Sequence, residues 1–427
     1  MQYRVLFSAI GGFALAAMLS TSAVLTAQTY ATGDPRNPGE PSTPATCSTL
    51  NAQFTSSQVD VDSPPSSDDT TRIQDALNSC AGSGKGVVLH INGADNAFLS
   101  GKLTIGSNEA LVIDSGVTLY GNNSYNSESE LIDVPNSNTG IYGAGTIDGR
   151  ANVHSFSSEP RLIQTSNASN FVIANMTIQN AAKPNLYIQG GSGATVWNLT
   201  VNTSPNQANA DGIDIDSISD VTVANSNITA GDDGIAIKTN AAAAENITVR
   251  NTNVYGTHGL SIGSQTFDGV TNVLFENNYV YGKSSGGTAS TDANAINIKT
   301  DKDCGGLVKQ VTYENTCIRY AKHLIVVNAN YGSCSGNSGT PQFQDIIVNG
   351  VKSENSVSGA YEELAGYNSS NIAQLYLANI SLDATTQNGD EYANVYLDNV
   401  NFTPSGTDVS THSWSASGGV PSCSFAF

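Results

Sequence analysis

The sequence predicts an all-β chain wound into a parallel β-helix, with one helix capping its N-terminal end. Three observations carry this. Short strands recur at a regular spacing, asparagine and glycine punctuate the turns between them, and a single amphipathic helix precedes the repeats. The repeat emerges when VTVANSNITAGDDGIAIKT from Val221, ITVRNTNVYGTHGLSIGS from Ile247, VLFENNYVYG from Val273, VTYENTCIRYAKHLIVVN from Val311 and IIVNGVKSEN from Ile346 are aligned. The first two steps are 26 residues; the later ones widen to 38 and 35, which read as loops inserted into one unit. A period in the twenties, with no heptads and no helices between strands, fits stacked β-coils. A β-propeller needs blades of about 40 to 50 residues and Trp or Gly-His signatures that these segments lack.

Each element follows from local composition. Arg4 precedes an apolar run over residues 5–19, and the small Ala23 and Ala27 could end a secretory signal peptide over 1–27. No second apolar stretch approaches the roughly 20 residues that span a bilayer, so no membrane role is expected. Residues 28–46 contain DPRNPGEPSTPAT and read as a solvated Pro-rich leader or linker, with one β-helix catalytic domain over 47–427. The helix is expected over 68–81, because Ile73, Ala76, Leu77 and Cys80 share one face; Asp69 is its expected N-cap, and Arg72 and Gln74 are expected to be exposed. Downstream the period becomes two, as in VVLHI (87–91), LVIDSGVTLYG (111–121) and FVIANMTIQN (171–180).

Composition removes several function classes. The 17 basic residues against 37 acidic ones leave a net charge of −20, which makes nucleic acid a poor partner because phosphate binding needs Lys and Arg. Disorder is excluded by a 39% hydrophobic content. Six cysteines, at 47, 80, 304, 317, 334 and 423, match no zinc spacing and fit disulfides of an exported protein. Fifteen pairings are possible; Cys47 with Cys80, which flank the helix, is the expected one.

A regular β-helix needs no clustered charges, so the charged turns are informative. Successive coils carry NADGIDID (209–216), GDDGIAIK (231–238), GTHGLSIGS (256–264) and NAINIKTD (294–301). Stacked coils lie about 4.8 Å apart, which brings Asp211, Asp232, Asp233, His258 and Lys299 towards one groove. Glycoside hydrolysis suits such a group: one carboxylic acid protonates the leaving oxygen and another carboxylate activates water, with crowding of like charges raising a pKa. Adjacent Asp232 and Asp233 would face opposite ways in a regular strand. A strand start or bulge between Gly231 and Gly234 would let both face the groove.

These segments, in this order and spacing, resemble the motifs of the polygalacturonases of glycoside hydrolase family 28, and GIYGAGTIDGR (140–150) resembles a further signature of that family. The resemblance implies a right-handed β-helix that hydrolyses α-1,4 bonds between galacturonic acids with inversion and without metal or other cofactor. Its substrate would be an acidic plant cell-wall polysaccharide, and the protein a secreted monomer. It also implies that Asp232 is the general acid, that Asp211 and Asp233 hold and deprotonate the water, and that His258 tunes the acid. Lys299 would bind a substrate carboxylate and Tyr331 would contact substrate. Asn297 stands where the family carries Arg, so a bidentate clamp is replaced by neutral hydrogen bonds, which admits a substituted galacturonan. Ala210 and Gly234 also depart from the family pattern, away from the proton chemistry. The competing readings are a lyase with a Lys or Arg base and Ca²⁺, and a non-catalytic glycan-binding β-helix. Loops at 284–294 and 332–341 are where endo or exo attack would be decided.

Overall fold

The computed structural model describes residues 28–256, 258–283, 292–303, 305–334 and 339–424. The expected signal peptide, residues 284–291 and 335–338 of the two loops, and Cys304 lie outside them. All strand pairings between named strands are parallel and fall into three ladders that run along the molecule, one strand of each per coil. The repeat read from the sequence is the register of the first ladder. Val221 pairs with Ile247, Ile247 with Val273, Val273 with Val311 and Val311 with Ile346. The inserted loops therefore lengthen the coil without shifting its core residues.

Period-two alternation directs Val221, Val223, Ile247, Val249, Val273 and Phe275 inward, where each is fully buried in one continuous core. The turns are asparagine steps. Asn198, Asn225, Asn251 and Asn277 adopt φ between 49° and 56°, a region Asn tolerates better than most residues. Side-chain amides link such turns between coils, as in Asn198 to Asn175 at 2.8 Å and Asn272 to Asn246 at 2.8 Å. The Asn-Xaa-Ser/Thr triplets at Asn198 and Asn246 thus serve the stack.

The capping helix runs over Thr70–Cys80 and buries Ile73, Leu77 and Cys80. Cys47–Cys80 is a disulfide, as expected, and Cys317–Cys423 ties the C-terminal tail to the coil 106 residues away. Asp69 occupies the N-cap position without capping the helix; its carboxylate instead accepts from Leu99 N–H and pairs with Arg72. Arg72 and Gln74, expected in solvent, are half-buried because both fasten the helix to the coils. Arg72 donates to Asn51 O at 2.9 Å, and Gln74 exchanges two hydrogen bonds with the Thr104 backbone.

Residues 31–36 of the expected solvated leader are tied down, whereas most of residues 37–46 are exposed. The former lie across the outside of the first ladder and bond to coil after coil. Ala31 N–H donates to Thr312, Asp34 N–H to Thr248, Thr222 to the Asp34 carboxylate, and Arg36 to Ala194 O. Asp34 is 4% exposed. An extended proline-rich chain suits this position, since it needs few backbone partners and rows of outward threonines supply them.

Candidate active site

The third ladder positions the charged residues. Its strands Leu186–Gln189, Ile213–Asp216, Ile235–Thr239, Leu260–Thr266, Asn294–Asp301 and His323–Gly332 stack in register, and Asp211, Asp232, Asp233 and His258 sit in the turns just before them. The doublet is thus at a strand start, where alternation does not apply. Gly231 is needed there for close approach, since a Cβ would meet the Gln207 carbonyl oxygen at 1.8 Å. Gly259 follows His258 at φ 80°, with the Ala295 carbonyl oxygen 2.3 Å from where a Cβ would be.

The three aspartates differ in surroundings. Asp232 is the most open, its side chain 27% exposed against 8% for Asp211 and 5% for Asp233. Its Oδ1 lies 2.9 Å from His258 Nδ1 and accepts the Asp233 N–H at 2.9 Å. Burial pushes the Asp232 pKa up, but the hydrogen bond and charge of His258, with Lys299, bring it below the usual carboxylate range. The same bond raises His258 against the effect of burial. Asp233 accepts from Lys299 Nζ at 3.0 and 3.1 Å and from Ser261 Oγ at 2.8 Å. Burial raises its pKa; Lys299 opposes this and neighbouring Asp211 adds to it.

Asp211 accepts a 2.7 Å hydrogen bond from Lys238 Nζ, which also stands 2.9 Å from Asp214 Oδ1 as an ion contact outside hydrogen-bond geometry. Burial pulls Lys238 down, but Asp214, Asp211 and Asp233 outweigh it and hold the ammonium well above the ordinary lysine value. Asp214 is 1% exposed, and burial drives its pKa well up despite Lys238. The sequence alone assigns no role to Lys238 or Asp214. The signal that could have found them was the IDID and IAIK pair on adjacent strands, which offers two carboxylates and one ammonium to the same surface.

The expected substrate contacts divide. Lys299 is 6% exposed and stands between Asp233 and Tyr331, its Nζ 5.2 Å from the tyrosine ring centre. Tyr331 is 58% exposed and forms an open wall. Asn297 is 3% exposed and donates to Ser261 Oγ at 3.3 Å, so it supports the hydroxyl that bonds Asp233. Ser261 is not legible in the sequence, because a serine inside a strand carries no local signal. Among the described residues, Asp232, Asp233 and His258 bring ligand atoms within 4.8 Å of one another. A cation entering there would have to displace Lys299 from Asp233 and break the Asp232–His258 bond.

Glycan binding alone does not require carboxylates withdrawn from water and held at unequal proton affinities. Carboxylates gathered in this way at the strand starts of one ladder of a parallel β-helix suit a glycoside hydrolase. The sequence model of the glycosyl hydrolases family 28 matches residues 80–404, and the chain belongs to that family. It is 33% identical to the endo-polygalacturonase of Pectobacterium parmentieri over 396 residues, which cover 83% of this chain and 91% of the relative. The solved polygalacturonase from Erwinia carotovora ssp. carotovora matches with a TM-score of 0.70 at 30% identity, over 89% of this chain and all of that one. The fold is the right-handed parallel β-helix, the hand that parallel crossovers take in about 98% of cases. PfbA, a surface adhesin of Streptococcus pneumoniae, matches with a TM-score of 0.59 at 16% identity, over 81% of this chain and 88% of that one. That is a likeness of fold alone.

Proposed function

We propose that this enzyme hydrolyses α-1,4-galacturonosyl bonds of polygalacturonan with inversion, with Asp232 as general acid and Asp211 and Asp233 holding and deprotonating the water. One observation carries the reading. The open carboxyl is bonded to His258, while the two withdrawn ones are each held by a lysine. Protonation of a leaving oxygen needs the open group, and orientation of water needs fixed acceptors. Lys299 takes a carboxylate of the neighbouring sugar, Tyr331 its face, and Asn297 acts from beneath through Ser261. Disulfides such as Cys47–Cys80 and Cys317–Cys423 suit an exported enzyme. Incubation with polygalacturonate is expected to release reducing ends whose first anomer by NMR is β. Unsaturated products would make the protein a lyase, and unchanged polymer a binder.

Asp232 and His258, bonded at 2.9 Å, shift one another in opposite directions, the carboxyl down and the imidazole up. Substrate carboxylates filling the groove add negative charge and exclude water, and both effects raise Asp232 and draw the proton from His258. The base must be ionised, so activity rises as pH passes the raised Asp233 value, above the usual carboxylate range. It falls once the pair loses its proton, above the ordinary imidazole value. In His258→Asn the acid must hold its proton unaided, and the alkaline limb of kcat/KM moves to lower pH. An alkaline limb at the wild-type pH in this variant would remove His258 from the mechanism.

A further inference from the structure

The column of the third ladder that holds Ser261 continues towards the C-terminal end of the molecule. Ser261 pairs in register with Asn297, Asn297 with Val326, and Val326 with Glu363 of the strand Tyr361–Ala365. Their chain neighbours Ile262, Ile298, Val327 and Leu364 lie in the core, so alternation turns all four outward, onto the side where Ser261 meets Asp233. Beside this column runs that of Lys299, which continues through Asn328 and Ala365 to Glu391. Beyond Lys299 neither column carries a cation, and each reaches a carboxylate.

From this we infer that Glu363 sets the specificity of the C-terminal arm of the site, which admits a uronate whose carboxyl is methyl-esterified and rejects the free carboxylate. The inference rests on the galacturonan reading above and names the form of the polymer that this arm takes. Glu363 is half-buried, and Asn328 Nδ2 donates to its Oε1 at 2.6 Å, which fixes the side chain and favours its charged form. Burial raises its pKa, the Asn328 bond opposes this, and Asp390 and Glu391 add to the rise. Among the described residues no lysine or arginine forms an ion pair with it, and Lys322 of the preceding coil is held by Asp292 at 2.8 Å. A substrate carboxylate beside Glu363 would therefore meet a like charge with no cation between them, the arrangement by which a binding surface excludes a competitor. Asn297 brings no charge to the same column, since it is bonded to Ser261. Val326, 7% exposed, stands between Asn297 and Glu363 as an apolar step. A methyl ester suits that step, whereas a carboxylate laid against it would lose water without gaining a partner.

Digestion of a galacturonan that carries methyl esters and free acids at random and in equal share tests this, because mass spectrometry of the products reads which side of each cut kept the esters. Near neutral pH the wild type is expected to leave sugars near one kind of new chain end esterified over free by about ten to one, a ratio worth about 1.4 kcal/mol. Glu363→Gln keeps the shape of the side chain and removes its charge. Its ratio should fall towards one, through a rise in kcat/KM on unesterified polygalacturonate that misfolding cannot produce. A ratio near one at both kinds of end in the wild type, or the wild-type ratio retained in Glu363→Gln, overturns the inference while the functional reading stands. A wild type that cleaves neither free nor partly esterified galacturonan overturns the functional reading, and the inference with it.

Discussion

Asp232→Asn is expected to lower kcat on polygalacturonate by about 10² to 10⁴, the range for loss of a positioned acid, with KM changed only a few fold. Asn conserves the shape and can still meet the His258 ring and the Asp233 N–H, which Asp232 contacts at 2.9 Å each. What it cannot do is deliver a proton to the leaving oxygen. The neighbour does not substitute for it. Asp233 has only 5% of its side chain exposed and is committed to Lys299 and Ser261. Asp233→Asn should also reduce kcat, but by a different path, because it releases Lys299 as well as removing a base. The distinction is readable with a substrate analogue whose leaving group needs no protonation: such a compound should recover much of its turnover in Asp232→Asn and little in Asp233→Asn. A drop smaller than about tenfold on polygalacturonate would assign the acid to another group.

The parts of this arrangement visible in the sequence are those that repeat. The residues Val221, Ile247, Val273, Val311 and Ile346 mark the repeat in the sequence and are register partners in the fold. A solenoid places equivalent residues above one another whatever the loops do. The same logic brought Asp211, Asp233 and His258 into one column. What escaped were contacts that depend on side-chain reach. Lys238 pairs by backbone register with Asp216, yet its long side chain leans to Asp211 and Asp214, and no spacing rule encodes that choice. Asn297 is level with Ser261 on the neighbouring strand, so its bond follows from register once the loop of the intervening coil has been counted. The docking of residues 31–36 escapes sequence for a related reason. Composition describes the segment, whereas its fate is set by the threonines Thr222, Thr248 and Thr312 on distant coils.

The second large effect concerns Lys238. Lys238→Met keeps an unbranched chain of similar length and removes only the charge, leaving the Asp211 and Asp214 carboxylates, 8% and 1% exposed, without their shared cation. Breaking a buried pair in this way costs about 3 to 5 kcal/mol, whereas loss of an exposed pair costs about 0 to 1. Urea unfolding at neutral pH should therefore show a loss in the first range. The loss should shrink on acidification, for a definite reason. Burial already holds the folded Asp214 well above the ordinary carboxylate value, with Lys238 opposing the rise, so its removal lifts the group further. Between the unfolded value, about 3.9, and the raised folded value, the folded state binds more protons than the unfolded one. Stability in that window falls as pH rises, and it falls over a wider window in the variant than in the wild type. At about pH 4 the neutral acid no longer needs the ammonium, and the two proteins should approach one another. An equal difference at both pH values would mean that Lys238 acts by packing alone. A difference below about 1 kcal/mol at neutral pH would make the bridge an ordinary surface pair and leave Asp211 to be held by the backbone.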